Sequence, residues 1–465
     1  MSSIELSDAP AKAYKDKGEH SHLVPKSVKV SWGAGALGVA LLMNAIGSLA
    51  LFYMVGVLKI DPVLAGSLIF VTKLFDVATD PIVGSWSDRV KSETSRRRPF
   101  LFAGAIVSAL SFAMIFTTPV FGNQLFTAAY VLVAMMIYAF GYTLFNVPYM
   151  SMPSEMTPDY HERSSIHSYR MVFVSLGGLL AGAVAPFMLE KMGRTEWSSY
   201  ATIGVLGGGT ILLFMMIAWA GTAKARFTVA QKETPKVLAE VGHVFTNRHF
   251  IRLICVKLTQ LLGVASSQAA MIFFILNALQ RDLTVMTYYG ITLSLTAIIA
   301  SPICVRISRK IGKKFAYTIG SSFFILTCLS WMLAGPGEPT WAIMLRAAGT
   351  AIAMSFNVIM AMSMLTDIIN YDAEKNGIRR EGVFTSFYSF AEKFTYAFGP
   401  LIVGVALSIA GFDKDLPAEA MQSPAIRHAV LLGVSYLPGF MGLVSLIILL
   451  GYKLDKEVQA EAPKS

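Results

Sequence analysis

The sequence contains few charged residues and few cysteines. Only 15% of its 465 residues are charged, whereas soluble domains carry about 25%. The charges lie in short clusters separated by long neutral stretches, which excludes a soluble globular enzyme and a disordered chain and indicates a protein with many membrane spans. The three cysteines, Cys255, Cys304 and Cys328, all lie in apolar segments, so neither a disulfide framework nor a metal-ligand spacing is available.

Signatures of nucleotide chemistry and of catalysis are lacking as well. No G-x-x-x-x-G-K-[ST] phosphate loop occurs, which argues against ATP-driven transport. Residues 33–38 fit the G-x-G-x-x-G pattern, but they open an apolar span, where small residues let helices approach closely. The net charge of +10 fits basic cytoplasmic loops better than nucleic-acid binding. We predict neither an enzyme nor a cofactor.

Twelve apolar stretches are long enough to cross a bilayer. A membrane helix needs about 20 apolar residues, and residues 30–58 contain no charge. Residues 99–154 also lack charge and have room for two spans, with a turn-rich break at 117–123. The other nine spans are predicted at 62–85, 168–190, 199–222, 250–280, 283–305, 315–335, 341–366, 383–411 and 427–452. The predicted fold class is an all-α membrane protein with twelve transmembrane helices in two pseudo-symmetric six-helix bundles.

Basic residues set the predicted topology. With both termini in the cytoplasm, the inner loops hold 19 Lys and Arg and the outer loops hold six, as the positive-inside rule requires. Basic clusters at 88–98 and 306–314 occupy matching places in the two halves. Matching halves are typical of transporters with a substrate site near the bilayer midplane. The predicted divisions are a tail at 1–28, bundles at 29–221 and 250–453 separated by a cytoplasmic loop at 222–249, and a tail at 454–465.

The second predicted span carries three charges at membrane depth. Lys73, Asp76 and Asp80 fall within roughly 60° of one another on a helix, and each buried charge costs at least about 2.5–3.5 kcal/mol. Two carboxylates on one face repel unless a cation lies between them or one is protonated. We therefore predict a site for Na⁺ or H⁺, and Lys393 in span eleven is its expected ionic partner. The alternatives are a structural network neutralised by Lys73 and a Lys393 that reaches the interface.

Four separated motifs, in the same order, resemble those of the glycoside–pentoside–hexuronide:cation symporters, the melibiose-permease-like branch of the major facilitator superfamily. The motifs are Asp76-Val-Ala-Thr-Asp80-Pro-Ile-Val-Gly84-Ser-Trp-Ser-Asp88-Arg89 with Arg97-Arg98-Pro99-Phe100; Asn146-Val-Pro148-Tyr149; Glu162-Arg163 with Tyr169-Arg170; and Asp367-Ile-Ile-Asn-Tyr371-Asp372 with Gly377-Ile-Arg379-Arg380-Glu381-Gly382, followed by Lys393 and Gly399-Pro400. The resemblance covers nearly the whole chain and implies the major facilitator fold with alternating access.

The resemblance also implies the roles of individual residues. The acids of the coupling-ion site fall on Asp76 and Asp80, with Thr143 as a hydroxyl ligand and Thr79 as a second neutral oxygen. The substrate is expected between the halves, at a site formed by Ala40, Asn44, Asn146, Tyr149, Arg170 and Lys393. Acids that grip sugar hydroxyls in melibiose-type transporters are replaced here by Ala40 and Asn146. The resemblance implies a sugar, glycoside or uronide as the substrate, whereas these replacements favour the alternative of a symporter or proton-driven exporter of a non-sugar amphipathic or anionic solute.

An inner gate is predicted at the cytoplasmic ends of the spans. Gly84 permits close helix approach, Asp88 faces Arg379 and Arg380 across the gate, and Asp367 and Asp372 face Arg89 or Arg96. The alternative is a loop that is basic only because of the positive-inside bias. The remaining expectations are a monomer in the cell inner membrane, whose partners are a small-molecule substrate, the coupling cation and the lipid bilayer.

Overall fold

Twelve long helices make up most of the part of the chain that the structure describes. A computed structural model describes residues 23–90, 97–157, 159–225, 242, 244–376, 380–416, 422–452 and 454. Within these residues, twelve helices are long and apolar enough to cross a membrane. They are α1 Lys26–Val57, α2 Pro62–Ser87, α3 Arg98–Phe116, α4 Gln124–Met156, α5 Ser165–Met192, α6 Trp197–Gly221, α7 Arg248–Ala278, α8 Thr284–Ile311, α9 Lys313–Leu333, α10 Thr340–Asn376, α11 Glu381–Ile409 and α12 Pro424–Leu450. The predicted count and the all-helical class are confirmed.

Several helices extend beyond their predicted spans. The backbone of α2 remains helical to Arg89, and that of α5 begins at Tyr160. Helix α10 continues ten residues past the predicted end at 366 because its acidic residues there have polar partners within the same half. Asp367, for example, lies 2.6 Å from Lys313 Nζ. Hydropathy alone ends a span at the first charge, whereas a paired charge is compatible with a longer helix.

The ends of α1 and α7 show that the two halves repeat one pattern. Both helices finish in a five-residue π-helical turn, at Tyr53–Val57 and Phe274–Ala278. Two residues beyond each turn the backbone takes a positive φ, 56° at Lys59 and 52° at Gln280. Positive φ is uncommon outside glycine, so its recurrence at matched places supports a duplicated architecture.

The halves meet closely at the helix ends that are predicted to lie outside. A Cβ atom at Gly290 of α8 would collide with the backbone carbonyl of Gly182 in α5, and one at Gly404 of α11 would collide with that of Pro62 in α2. Such backbone approach is possible only with small residues. These contacts hold α5 against α8 and α2 against α11, and they bring the middle of α2 beside α11.

Candidate functional site

Four side chains from three helices form a polar cluster where the halves meet. The Thr143 hydroxyl of α4 lies 2.9 Å from Oδ1 of Asp76 and 3.0 Å from Oδ1 of Asp80, so that it can donate to either carboxylate. The Lys393 ammonium of α11 donates to both acids, at 3.2 Å from Asp76 Oδ1 and 2.6 Å from Asp80 Oδ2. The cluster therefore joins α2 and α4 of the first half to α11 of the second.

Asp76 is the more deeply buried of the two acids. It is 1% exposed, and no described residue provides a hydrogen-bond partner for its Oδ2 atom. A buried carboxylate oxygen without a partner is costly, and it is a hard donor of the kind that small cations bind. Thr79 is close in sequence, but its hydroxyl donates to the backbone carbonyl of Asp76 at 3.0 Å. The residues that best fit a small cation are thus Asp76, Asp80 and Thr143.

Lys393 and Lys73 have different neighbours. Lys393 forms the ion pairs with both acids, whereas the Lys73 ammonium lies 6.0 Å from the ring centre of Tyr138. The predicted partnership of Lys393 with the acids of α2 is therefore present as a contact, and the acids do not depend on Lys73 for their hydrogen bonds.

Tyr142 connects the acid cluster to the predicted substrate residues, and the sequence analysis missed it. Its ring centre lies 5.0 Å from the Lys393 ammonium, within cation–π range. Its hydroxyl accepts a hydrogen bond from Asn146 Nδ2 at 3.1 Å. Its position in the sequence could have indicated this role. Tyr142 lies directly before Thr143 and four residues before Asn146, and residues four apart share a helix face.

The remaining substrate candidates are of two kinds: polar groups with unused hydrogen-bonding capacity, and residues that pack against other helices. Asn146 Oδ1 and Arg170 Nε are buried and have no hydrogen-bond partner in the part of the chain that the structure describes. Asn44 donates to the backbone carbonyl of Ala40 at 2.8 Å. Ala40 itself is buried, and a Cβ atom at Gly177 of α5 would touch it. It therefore lies at the packed contact between α1 and α5, because both residues are small.

Tyr149 lies in a reciprocal contact between α1 and α4 and not on an open surface. Its hydroxyl donates to the backbone carbonyl of Trp32 at 2.8 Å, and the Trp32 indole donates to the carbonyl of Tyr149 at 3.2 Å. The two rings stack at 4.6 Å. The ring and the hydroxyl of Tyr149 are thus engaged in the packing of α1 against α4, and its contact with the substrate stays a prediction.

Comparisons with known proteins identify the family. A sequence model of the MFS/sugar transport protein family matches residues 31–456. The chain belongs to this family. It is similar to the uncharacterized symporter YnaJ of Bacillus subtilis, 26% identical over 92% of each protein. It is also similar to the isoprimeverose transporter of Lactiplantibacillus pentosus, 24% identical over 94% of this chain and 90% of that protein.

Solved structures agree with the family assignment. The D-xylose-proton symporter matches with a TM-score of 0.66 at 14% identity, over 92% of this chain and 97% of that one. A bacterial homologue of the human lysosomal transporter Spinster matches with the same score and identity, over 92% and 95%. The fold is therefore that of the major facilitator superfamily, and the protein is a multi-pass membrane transporter of the symporter type and not an enzyme.

The acids of the predicted inner gate have partners within the second half. Asp367 pairs with Lys313 of α9 at 2.6 Å. Asp372 is buried and lies 3.5 Å from Arg380 and 3.3 Å from Asn247. Their predicted pairing with Arg89 or Arg96 of the first half involves side chains outside the described residues, so it stays a prediction.

Other members of the predicted gate are only partly described. Arg379 and Arg96 lie outside the described residues, as do the side chains of Asp88 and Arg89. The Cα of Gly84 faces Val147 of α4, which a Cβ atom there would approach to 3.7 Å. Gly84 thus lies at the contact between α2 and α4 within the first half.

A further charged pair in this transporter lies one residue from Lys393. Lys257 of α7 is buried and its ammonium lies 3.0 Å from Glu392 Oε1 of α11. The sequence analysis did not single out Lys257 and assigned no role to Glu392. The available signal was the position of Lys257 within a predicted span, where an unpaired charge is costly.

Proposed function

We propose that the protein is a cation-coupled sugar symporter in which the coupling ion binds at Asp76 and Asp80 with the Thr143 oxygen. The observation that carries the proposal is the hydroxyl of Thr143 between the two carboxylates, at 2.9 and 3.0 Å. Na⁺ favours several hard oxygen ligands, whereas a proton needs only one acid. This donor set favours Na⁺, and H⁺ is the alternative coupling ion.

The Lys393 contacts suggest how the ion and the substrate are coupled. The ammonium lies between the two carboxylates, so a cation that binds both acids must displace it. A displaced Lys393 leaves the ring of Tyr142, whose hydroxyl accepts from Asn146. Ion binding is thereby transmitted to the substrate side and to the contact between α2 and α11, which alternating access must open and close.

The substrate class is proposed from the relatives and from the unused hydrogen-bonding capacity of the polar groups at the site. Named relatives include the isoprimeverose transporter and a glucuronide carrier protein homologue of Escherichia coli, which represent a neutral and an anionic sugar. Asn146 can bond a hydroxyl group, and the planar fork of Arg170 suits a carboxylate or paired hydroxyls. We therefore expect neutral or anionic sugars to be preferred over cationic solutes.

Transport in proteoliposomes tests the function. Radiolabelled isoprimeverose and a methyl glucuronide are offered with an imposed Na⁺ gradient, a pH gradient or neither. We expect accumulation above equilibrium with the Na⁺ gradient, and its loss in Asp76→Asn and Asp80→Asn. Full gradient-driven accumulation in both variants would contradict the proposed ion site, and accumulation driven by the pH gradient alone would replace Na⁺ by H⁺.

The orientation in the membrane is also a proposal. Both termini are placed in the cytoplasm because Lys and Arg concentrate in the loops on that side. A reporter fused to the C-terminus that is active only outside the cytoplasm should remain inactive. The protein is proposed to function as a monomer. The mass of the protein within the solubilised particle, after the mass of bound detergent is subtracted, tests this directly.

A further inference from the structure

The pair formed by Lys257 and Glu392 is unequally buried. The Lys257 side chain is 5% exposed, whereas that of Glu392 is 38% exposed. The Lys257 ammonium also lies 5.4 Å from the ring centre of Tyr388, one turn before Glu392 on α11. The lysine is therefore enclosed between α7 and α11, and the carboxylate extends from it into open space.

That open space is not the lipid. Phe390 and Phe394 of α11 stack on each other at 5.9 Å and are 48% and 36% exposed, as residues facing lipid would be. At 100° per residue their common direction lies about 180° from that of Glu392. A carboxylate facing lipid would carry a cost of several kcal/mol. Glu392 therefore faces the interior of the transporter, on the side of α11 that is turned away from the bilayer.

Neighbouring groups place Glu392 beside the proposed substrate region. Lys393, the next residue, reaches the acids of α2 and the ring of Tyr142. The Tyr388 hydroxyl, one turn before Glu392 on α11, is buried and has no hydrogen-bond partner among the described residues. A charged acceptor and an unpaired hydroxyl thus occur together on α11, next to the lysine that contacts α2 and α4.

The ion pair of Lys257 and Glu392 is not explained by a contribution to the stability of the fold. Replacing a buried ion pair by apolar residues of similar size is often neutral or stabilising. A partly exposed carboxylate held by a buried ammonium is instead oriented, with acceptor capacity left over, since an ionised carboxylate has about four lone-pair sites. Sugar hydroxyls are donors that such an acceptor binds.

We propose that Glu392 binds the sugar by accepting hydrogen bonds from its hydroxyl groups, and that Lys257 is the positioning residue that orients the carboxylate. The inference rests on the proposed function and deepens it. Glu392 supplies, from the second half, a carboxylate of the kind that Ala40 and Asn146 do not provide in the first half. With Arg170 on α5, the site has a positive and a negative side. It suits a polyhydroxylated solute that is neutral, or one whose acidic end is directed to Arg170.

The test is the kinetics of isoprimeverose uptake by Glu392→Gln in proteoliposomes. Loss of a hydrogen bond to a charged acceptor should raise KM about ten- to one-hundred-fold, with the half-saturating Na⁺ concentration unchanged. The matched control is Glu338→Gln. Glu338 also forms a close ion pair, at 2.6 Å from Arg346, but it precedes α10 and belongs to no proposed site. Its KM should stay within about twofold of the wild type.

A double variant separates substrate binding from a purely structural role. If the pair only joins α7 to α11, Lys257→Met with Glu392→Leu should restore both thermal stability and KM. If Glu392 binds sugar, the double variant regains stability while KM remains high. A wild type that accumulates neither sugar refutes the proposed function. A wild type that accumulates isoprimeverose together with a Glu392→Gln variant of unchanged KM refutes this inference alone.

Discussion

Replacing Thr143 by valine tests the ion site most directly. Valine keeps the shape of threonine but removes an oxygen that lies 2.9 and 3.0 Å from the two carboxylates. One hydroxyl donates one hydrogen bond at a time, and a hydrogen bond to a charged group is worth about 1.5–3 kcal/mol. Without the ion, Thr143 donates to the acids while they pair with Lys393, so the valine variant weakens that ion-free arrangement as well. The net effect on ion binding should therefore lie at the low end of this energy range. We expect the half-saturating Na⁺ concentration to rise about tenfold.

Thr79→Val is the matched control for this change. Its hydroxyl donates to the backbone carbonyl of Asp76 and not to a carboxylate, so the half-saturating Na⁺ concentration should stay within about twofold. Sodium-dependent isoprimeverose uptake at constant pH is the assay for both variants. An unchanged Na⁺ dependence in Thr143→Val, or an equal shift in both variants, would refute the proposed ligand set.

Three further predictions concern coupling, closure and stability. Tyr142→Phe keeps the ring beneath Lys393 but removes the acceptor of Asn146, so KM for isoprimeverose should rise about two- to tenfold with the Na⁺ dependence unchanged. Gly290→Leu should push apart the neighbouring ends of α5 and α8, measured as a longer distance between spin labels there. Gly209→Leu is the control and should leave that distance unchanged, because no described residue lies within 4 Å of a Cβ atom at Gly209; an equal distance in both variants would count against the close contact at Gly290. Glu162→Gln breaks a buried ion pair with the Lys29 ammonium at 2.8 Å and should lower the free energy of unfolding by about 3–5 kcal/mol. The measurement is the midpoint of thermal unfolding, and an unchanged midpoint would show that the pair does not stabilise the fold.

The features predicted correctly from the sequence are those that burial makes visible along the chain. A charge within an apolar stretch needs a partner, so Asp76, Asp80 and Lys393 were expected to meet, and the distances between them are those of ion pairs. The number of spans follows from uninterrupted apolar length in the same way. Both are local properties, which one sequence contains in full.

The choice between possible partners is not a local property of the sequence. Asp372 has acceptable cations on both halves, and only the packing of α7, α10 and α11 places Arg380 and Asn247 within its reach. In the sequence, Tyr149 is a polar residue within a span and so a candidate for substrate binding. In the structure, its hydroxyl donates to the Trp32 carbonyl of α1. Hydropathy and motif order contain no information on which of two compatible partners is nearer.

Lys393 explains why one cluster can control both ion binding and the contact between the halves. Its ammonium is the only group of the four-residue cluster contributed by the second half, and it donates to both acids of the first. A buried charge that loses its partner costs several kcal/mol, so Lys393 cannot leave the acids unless a cation takes its place. Once displaced, it also leaves the ring of Tyr142 and needs another acceptor, which a bound solute can supply. Release of the ammonium without ion binding is therefore expensive, and ion binding without an acceptor for the ammonium is expensive too. That mutual requirement is the physical content of coupling, since each ligand lowers the cost of the arrangement that the other needs.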